Sequence, residues 1–134
     1  MRLAEIGASQ KKDMSKPGFF PSTTQKYRNV KTEIDGITFD SKREAERWCE
    51  LKLLEKAGEI HSLKRQVSFL LIPDQKVNGK IVERAVRYYA DFVYFTKDNL
   101  PVVEDVKSEA TKTAVYKIKR KLMRWKFGIV IQEV

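Results

Sequence analysis

Arg87-Tyr88-Tyr89-Ala90-Asp91-Phe92-Val93-Tyr94-Phe95, then Thr96-Lys97-Asp98-Asn99-Leu100-Pro101, then Val102-Val103-Glu104-Asp105-Val106-Lys107 is the stretch whose reading decides the fold. Val, Tyr and Phe favour a pleated surface and Asp does not, so Asp91 in the aromatic run and Asp105 in the valine run both oppose local propensity. Such violations often mark functional positions. In an extended Val102–Lys107, Asp105 and Lys107 point to one side about 7 Å apart, and Glu104 and Val106 point to the other. If the two runs pair across the intervening turn, Asp91 comes beside Asp105. Two crowded carboxylates repel unless a cation lies between them, and hard oxygen donors suit Mg²⁺, with Mn²⁺ as a substitute. Acid-x-Lys triplets are common in a chain with 34% charged residues. Asp40/Lys42, Glu50/Lys52 and Asp74/Lys76 are others, but only Asp105/Lys107 follows a strand that itself carries an Asp. The competing reading is a solvated strand face with cross-strand ion pairs worth about 0.2–1 kcal/mol each.

Outward from this stretch, the 134 residues predict one compact domain, 27–134, behind a flexible basic arm, 1–26, that holds Lys11, Lys12, Lys16 and the aromatic pair Phe19-Phe20. The arm has no apolar core after its first charge, unlike a signal peptide. A formal charge of +9 and a pI near 9.7 point to a polyanionic partner. Without a long apolar segment or lipidation signal, DNA is expected rather than a membrane, and the location is expected to be cytoplasmic. The single cysteine, Cys49, excludes an internal disulfide and reads as a small core residue; the single histidine, His61, disfavours sites that need paired histidines.

Ile34-Asp35-Gly36-Ile37 predicts a tight hairpin. Ser41-Lys42-Arg43-Glu44 matches a capping box that opens a helix running to Ala57, with Gly58 as its stop. Ala45, Trp48, Cys49, Leu51, Leu53, Leu54 and Ala57 predict a helix packed over much of its circumference. Glu44 falls on the stripe of Trp48 and Leu51, at the edge of the buried face; its role is either the capping box or chemistry, and Glu46 is the weaker acid. Val67–Ile72 reads as the first sheet strand, followed by a polar loop over Gln75–Arg84 in which Asn78-Gly79 suits a hairpin turn.

From Thr111 to Lys126 the pattern is helical, with Ala114, Val115, Ile118, Leu122, Met123 and Trp125 apolar. Lys112, Lys117, Lys119, Arg120, Lys121, Arg124 and Lys126 supply seven positive charges and no negative ones. Dense like charge repels along a helix, a cost that phosphates offset, so this face is the expected DNA contact. Gly128 ends the helix and Ile129–Ile131 predicts a final buried strand.

The order helix, three strands, helix, strand gives an α/β fold with a mixed four-stranded sheet flanked by helices (αβββαβ). Together with Glu44 in Ser41–Glu46, Asp91 in Tyr89–Phe92 and Asp105/Lys107 in Glu104–Ser108, it resembles the PD-(D/E)XK nuclease superfamily over Phe39–Val134. The likeness is greatest to small phage-borne endonuclease-like proteins, and more distant to transposon end-cleaving and Holliday-junction-resolving members. Ala90 stands where the motif's proline would be. The resemblance implies a restriction-endonuclease-like core and a metal-dependent endodeoxyribonuclease acting in recombination, replication or genome processing, in host cytoplasm if phage-encoded. Asp91, Asp105 and the Val106 backbone carbonyl would hold Mg²⁺, Glu44 would complete the shell through water, and Lys107 would orient the attacking water and stabilise phosphate charge. Lys117 and Arg120 would grip the backbone beside the scissile phosphate, with Tyr116 at the site's edge. A homodimer would suit a branched junction, and a phage or host DNA-processing protein is a compatible partner. The rival reading is a DNA-binding module without catalysis. An RNase-H-like resolvase would need a late acid, for which Glu133 is poorly placed, and an HNH nuclease would need more histidines.

Overall fold

The computed structural model describes residues 31–134; the arm expected over 1–26, with Phe19-Phe20, lies outside the described residues. A hairpin of β1 (Thr32–Ile34) and β2 (Ile37–Phe39) turns at Asp35 and Gly36, both with positive φ as the Asp-Gly pair predicts. Helix α1 spans Lys42–Lys56, opened by the Ser41 hydroxyl, which accepts the Glu44 N–H at 3.1 Å. The Glu44 carboxylate turns towards Gln66 and the Asp40 backbone rather than back to Ser41, so only the serine half of the expected capping box is formed.

The long strand β3 (Ile60–Ile72) leads through the small hairpin β4 (Gln75–Val77) and β5 (Lys80–Glu83) into β6 (Val86–Thr96) and β7 (Pro101–Asp105). After a 3₁₀ turn at Glu109–Thr111 come helix α2 (Ala114–Phe127) and β8 (Gln132–Glu133). The mixed sheet has the order β3-β6-β7-β8, antiparallel except for the last pair. Strand β3 starts seven residues before the expected Val67, because pairing with β6 extends back to Ile60–Thr96 even though His61, Ser62, Lys64 and Gln66 are exposed. The final strand is also displaced. Ile131 fills the core, but the ladder to β7 uses Gln132 and Glu133, whose polarity hides a strand from hydrophobic patterning.

Val102 and Val103 alternate between two cores and so place the helices on opposite faces of the sheet. Val102, with Phe39, Ala45, Leu51 and Phe92, packs with α1. Val103, with Leu71, Tyr88, Met123 and Ile131, packs with α2. Fully burying a side chain such as Leu51 or Phe92 contributes about 1.5–3 kcal/mol. Both helices bury less than their sequences suggest. On α1 only the stripe through Ala45, Leu51 and half-buried Trp48 is covered; Cys49, Leu54 and Ala57 are exposed, and Leu53 is 68% exposed. Cys49 is therefore a surface thiol rather than a core residue. On α2, Tyr116 and Met123 seal the core while Val115, Ile118 and Trp125 face outward.

Helix α2 begins at the Thr113 cap, two residues after the expected start, because Ser108 and Thr111 first close the 3₁₀ turn. It ends at Gly128, whose φ of +69 lets its N–H reach the carbonyls of Arg124 and Met123. A Cβ there would meet nothing within 4 Å, so only the backbone penalty applies. Gly128→Ala is expected to cost about 1 kcal/mol by urea unfolding, and no loss would refute the cap. Among the described residues no helix is long and apolar enough to cross a membrane.

Candidate active site

Strand alternation breaks at the point where the acids meet. Tyr88, Ala90, Phe92 and Tyr94 have one parity on β6, yet Tyr88 and Ala90 join the α2 core while Phe92 and Tyr94 join the α1 core. Strand β3 does the same. Leu63 belongs to the α1 core and Phe69 and Leu71 to the α2 core. The change falls where Gln66, with φ +53, lies across from Asp91 between the pairs Arg65–Phe92 and Val67–Ala90. A left-handed residue inside a strand re-aims the side chains around it. Asp91 is thereby held at the seam between the two cores.

Beyond the Phe92–Glu104 pair the next step of the ladder brings Asp91 opposite Asp105. Asp91 accepts the Val106 N–H at 2.8 Å on Oδ2 and the Gln66 amide at 3.3 Å on Oδ1. Asp105, 4% exposed, accepts the Tyr88 hydroxyl at 2.8 Å on Oδ2, and Lys107 Nζ lies 3.6 Å from the same oxygen. Glu44, also 4% exposed, comes in from α1 and accepts the same Gln66 nitrogen at 3.2 Å on Oε2. Glu44, Asp91, Asp105 and Lys107 are thus brought together, and Glu46 is exposed elsewhere on α1.

Glu104 turns the other way. Arg47 from α1 grips it through two nitrogens, Nε to Oε1 at 2.8 Å, and the Tyr94 hydroxyl donates to it as well. Neighbouring acids therefore have separate tasks: one ties α1 to the sheet and the other faces the polar cluster.

Lys107 Nζ lies 4.4 Å from the centre of the Tyr116 ring, close enough for cation–π attraction. The Tyr116 hydroxyl donates to Glu133 at 2.6 Å, Arg120 reaches the same carboxylate at 2.7 Å and Lys112 at 3.3 Å. Hydrogen bonds from Tyr116, Arg120 and Lys112 pull Glu133 down to about 2 despite partial burial. Glu133 is therefore an anchor for α2. Of the expected DNA-contacting residues, Lys112 and Arg120 are engaged by it, Lys119 is half-buried, and Lys117, Lys121 and Arg124 are exposed. Arg120, Lys121 and Arg124 also line a cleft of about 430 Å³ against Val130 and Glu133.

Burial, then the charges of Asp91 and Asp40, push Glu44 up to about 7, against the pull of Arg65. Burial and contact with Asp91 likewise raise Asp105 well above the ordinary carboxylate range, and Tyr88 and Lys107 offset only part of this. Among the described residues no trio of His, Cys, Asp and Glu forms a ready-made metal cage. The donor chemistry still fits a hard divalent ion. Glu44 and Asp105 each crowd Asp91, and the Lys107 ammonium lies 3.6 Å from Asp105.

The folded protein binds protons at Glu44 and Asp105 more tightly than the unfolded chain does. Their contribution to stability is therefore full below the ordinary carboxylate range and is lost as pH rises towards about 7. For buried Glu44 the effect is at most about 3 kcal/mol. Metal-free protein is expected to melt at a higher temperature at pH 5 than at pH 8, and Glu44→Gln to flatten the difference. Equal melting temperatures in the parent protein would show that the carboxyl groups are not crowded as described.

Three members of the cluster escaped the sequence reading as site residues. Gln66 is one polar residue among several in β3, Tyr88 looks like any strand aromatic, and Glu133 stands alone after the last apolar run. Their roles arise from pairing distant in sequence. Comparison with curated proteins and with solved structures finds no match. A family model described as "Protein of unknown function (DUF1064)" matches residues 24–133, a span that takes in both helices, the whole sheet and the acid cluster, and the chain belongs to that family.

Proposed function

We propose that this chain is a metal-dependent endodeoxyribonuclease with a PD-(D/E)XK-type, restriction-endonuclease-like core. The observation that carries the proposal is the meeting of Asp91 and Asp105 on two paired strands with Lys107 just beyond the second, and Glu44 entering from α1. Asp91 and Asp105 would hold Mg²⁺ or Mn²⁺ with the Val106 carbonyl, and Glu44 would complete the shell through water. The bound ion would lower the pKa of water and neutralise charge on the phosphate. Lys107, steadied by Asp105 and the Tyr116 ring, would orient the attacking water and donate to a phosphate oxygen as negative charge builds there. Exposed Lys117, Lys121 and Arg124 would meet DNA phosphates, and Arg120 would hold the middle of α2 against Glu133.

DNA binding without catalysis is the second reading, favoured by the basic face of α2 taken alone. The test is cleavage of labelled four-way junction, flapped, nicked, linear duplex and single-stranded DNA with Mg²⁺ or Mn²⁺. Metal-dependent cutting supports the nuclease, and the preferred substrate separates junction resolution from general cleavage. Salt-sensitive binding with no cutting of any substrate would leave the binding module.

A further inference from the structure

Gln66 combines two features that neither its sequence position nor the four motif residues explain. Its φ of +53 lies in the left-handed region, where a residue other than glycine costs on the order of 1 kcal/mol or more. It is also flanked on both sides by ladder pairs, Arg65–Phe92 and Val67–Ala90, so the conformation does not serve to turn the chain. Besides re-aiming the side chains around it, it places one amide. Nε2 lies 3.2 Å from Glu44 Oε2 and 3.3 Å from Asp91 Oδ1, and so links helix α1 to strand β6. Both bonds are long for N–H···O contacts, and a neutral amide balances little of the charge of two carboxylates. A divalent cation would be drawn to the same place.

The residue itself is exposed, so its amide has room to turn. An amide carries a hard carbonyl oxygen beside its nitrogen, and carbonyl oxygens are ordinary ligands of hard cations. We propose that Gln66 is a further member of the metal site: without the ion its NH₂ group tethers Glu44 to Asp91, and on ion entry the amide rotates so that Oε1 joins their carboxylates as a ligand. The proposal rests on the nuclease reading of the cluster. It adds a residue that the PD-(D/E)XK likeness did not single out in this chain, and it gives the strained backbone a second purpose beside the change of sidedness.

The experiment measures Mn²⁺ binding to the full chain by calorimetry, beside metal-free melting temperature and the Mg²⁺ concentration that gives half-maximal cleavage. Gln66→Gly removes the amide and relaxes the positive φ, so the variant is expected to fold. It should weaken Mn²⁺ binding tenfold or more and shift the Mg²⁺ requirement upward by a similar factor, with little loss of metal-free stability. Gln66→Glu, which keeps an oxygen at that reach and adds charge, should bind Mn²⁺ at least as tightly as the parent. A residue that only braces the sheet would change the melting temperature and leave the binding constant alone. Parent-like Mn²⁺ binding by Gln66→Gly, with cleavage intact in the parent, would overturn the Gln66 assignment and spare the nuclease. A parent protein that neither binds Mn²⁺ nor cuts DNA would overturn both.

Discussion

Asp105→Asn is expected to lower metal-dependent DNA cleavage by about a thousandfold or more, a loss of about 4 kcal/mol of transition-state stabilisation, and at the same time to stabilise the metal-free fold at pH 8. Asparagine has nearly the same shape and can keep the bond from Tyr88, so packing is preserved. What disappears is a carboxylate taken out of water at 4% exposure and pressed against Asp91. Lys107 and Tyr88 offset only part of that penalty, so removing the charge should return about 1–3 kcal/mol, by the scale on which one pKa unit is about 1.4 kcal/mol. Lower activity with higher stability is the pattern of a group kept for chemistry. Cleavage assays in Mg²⁺ and thermal melts on the same preparation check both halves. Cleavage within tenfold of the parent would sink the assignment of Asp105, and a strong drop in melting temperature would make it a structural residue.

Arg47→Met should have the opposite character. Glu104 is 2% exposed and receives two bonds from Arg47 and one from Tyr94. Removing Arg47 strands a buried carboxylate, a change that costs about 3–5 kcal/mol. The double variant Arg47→Met, Glu104→Leu should recover most of that loss, because replacing a buried ion pair with apolar groups is often neutral. Urea unfolding of the parent, single and double variants measures the coupling. A single-variant cost below about 1 kcal/mol would mean that water reaches Glu104.

Much of the architecture was legible because its signals are local. Asp35-Gly36, Ser41, Gly58 and Gly128 each mark an element's start or end through backbone requirements of their own, and the structure uses each as expected, whereas Glu44 leaves its half of the expected capping box for the acid cluster. The Asp105/Lys107 triplet was legible for a related reason, since alternation fixes sidedness without knowledge of partners; the aromatic run marked β6 as a strand, but its sidedness changes at Asp91. Where partners decide the outcome, the reading failed. Cys49 and Leu53 look like core residues on a helix wheel, but the helix is covered along one stripe only. The first half of β3 looks like a loop until β6 pairs with it. Gln66 could not be distinguished because its importance comes from a left-handed backbone and two acids 22 and 25 residues away.

The adjacent acids on β7 have a further consequence for how the strand finds its place. A one-residue slip of β7 would present Glu104 to the side of the Asp91 cluster and carry Asp105 towards Arg47. Aspartate is one methylene shorter than glutamate and could not span the reach to Arg47 and Tyr94 in the same way. The ion pair behind the sheet thus works as a reading-frame check on the strand, because Asp105 is too short to take the place of Glu104 there.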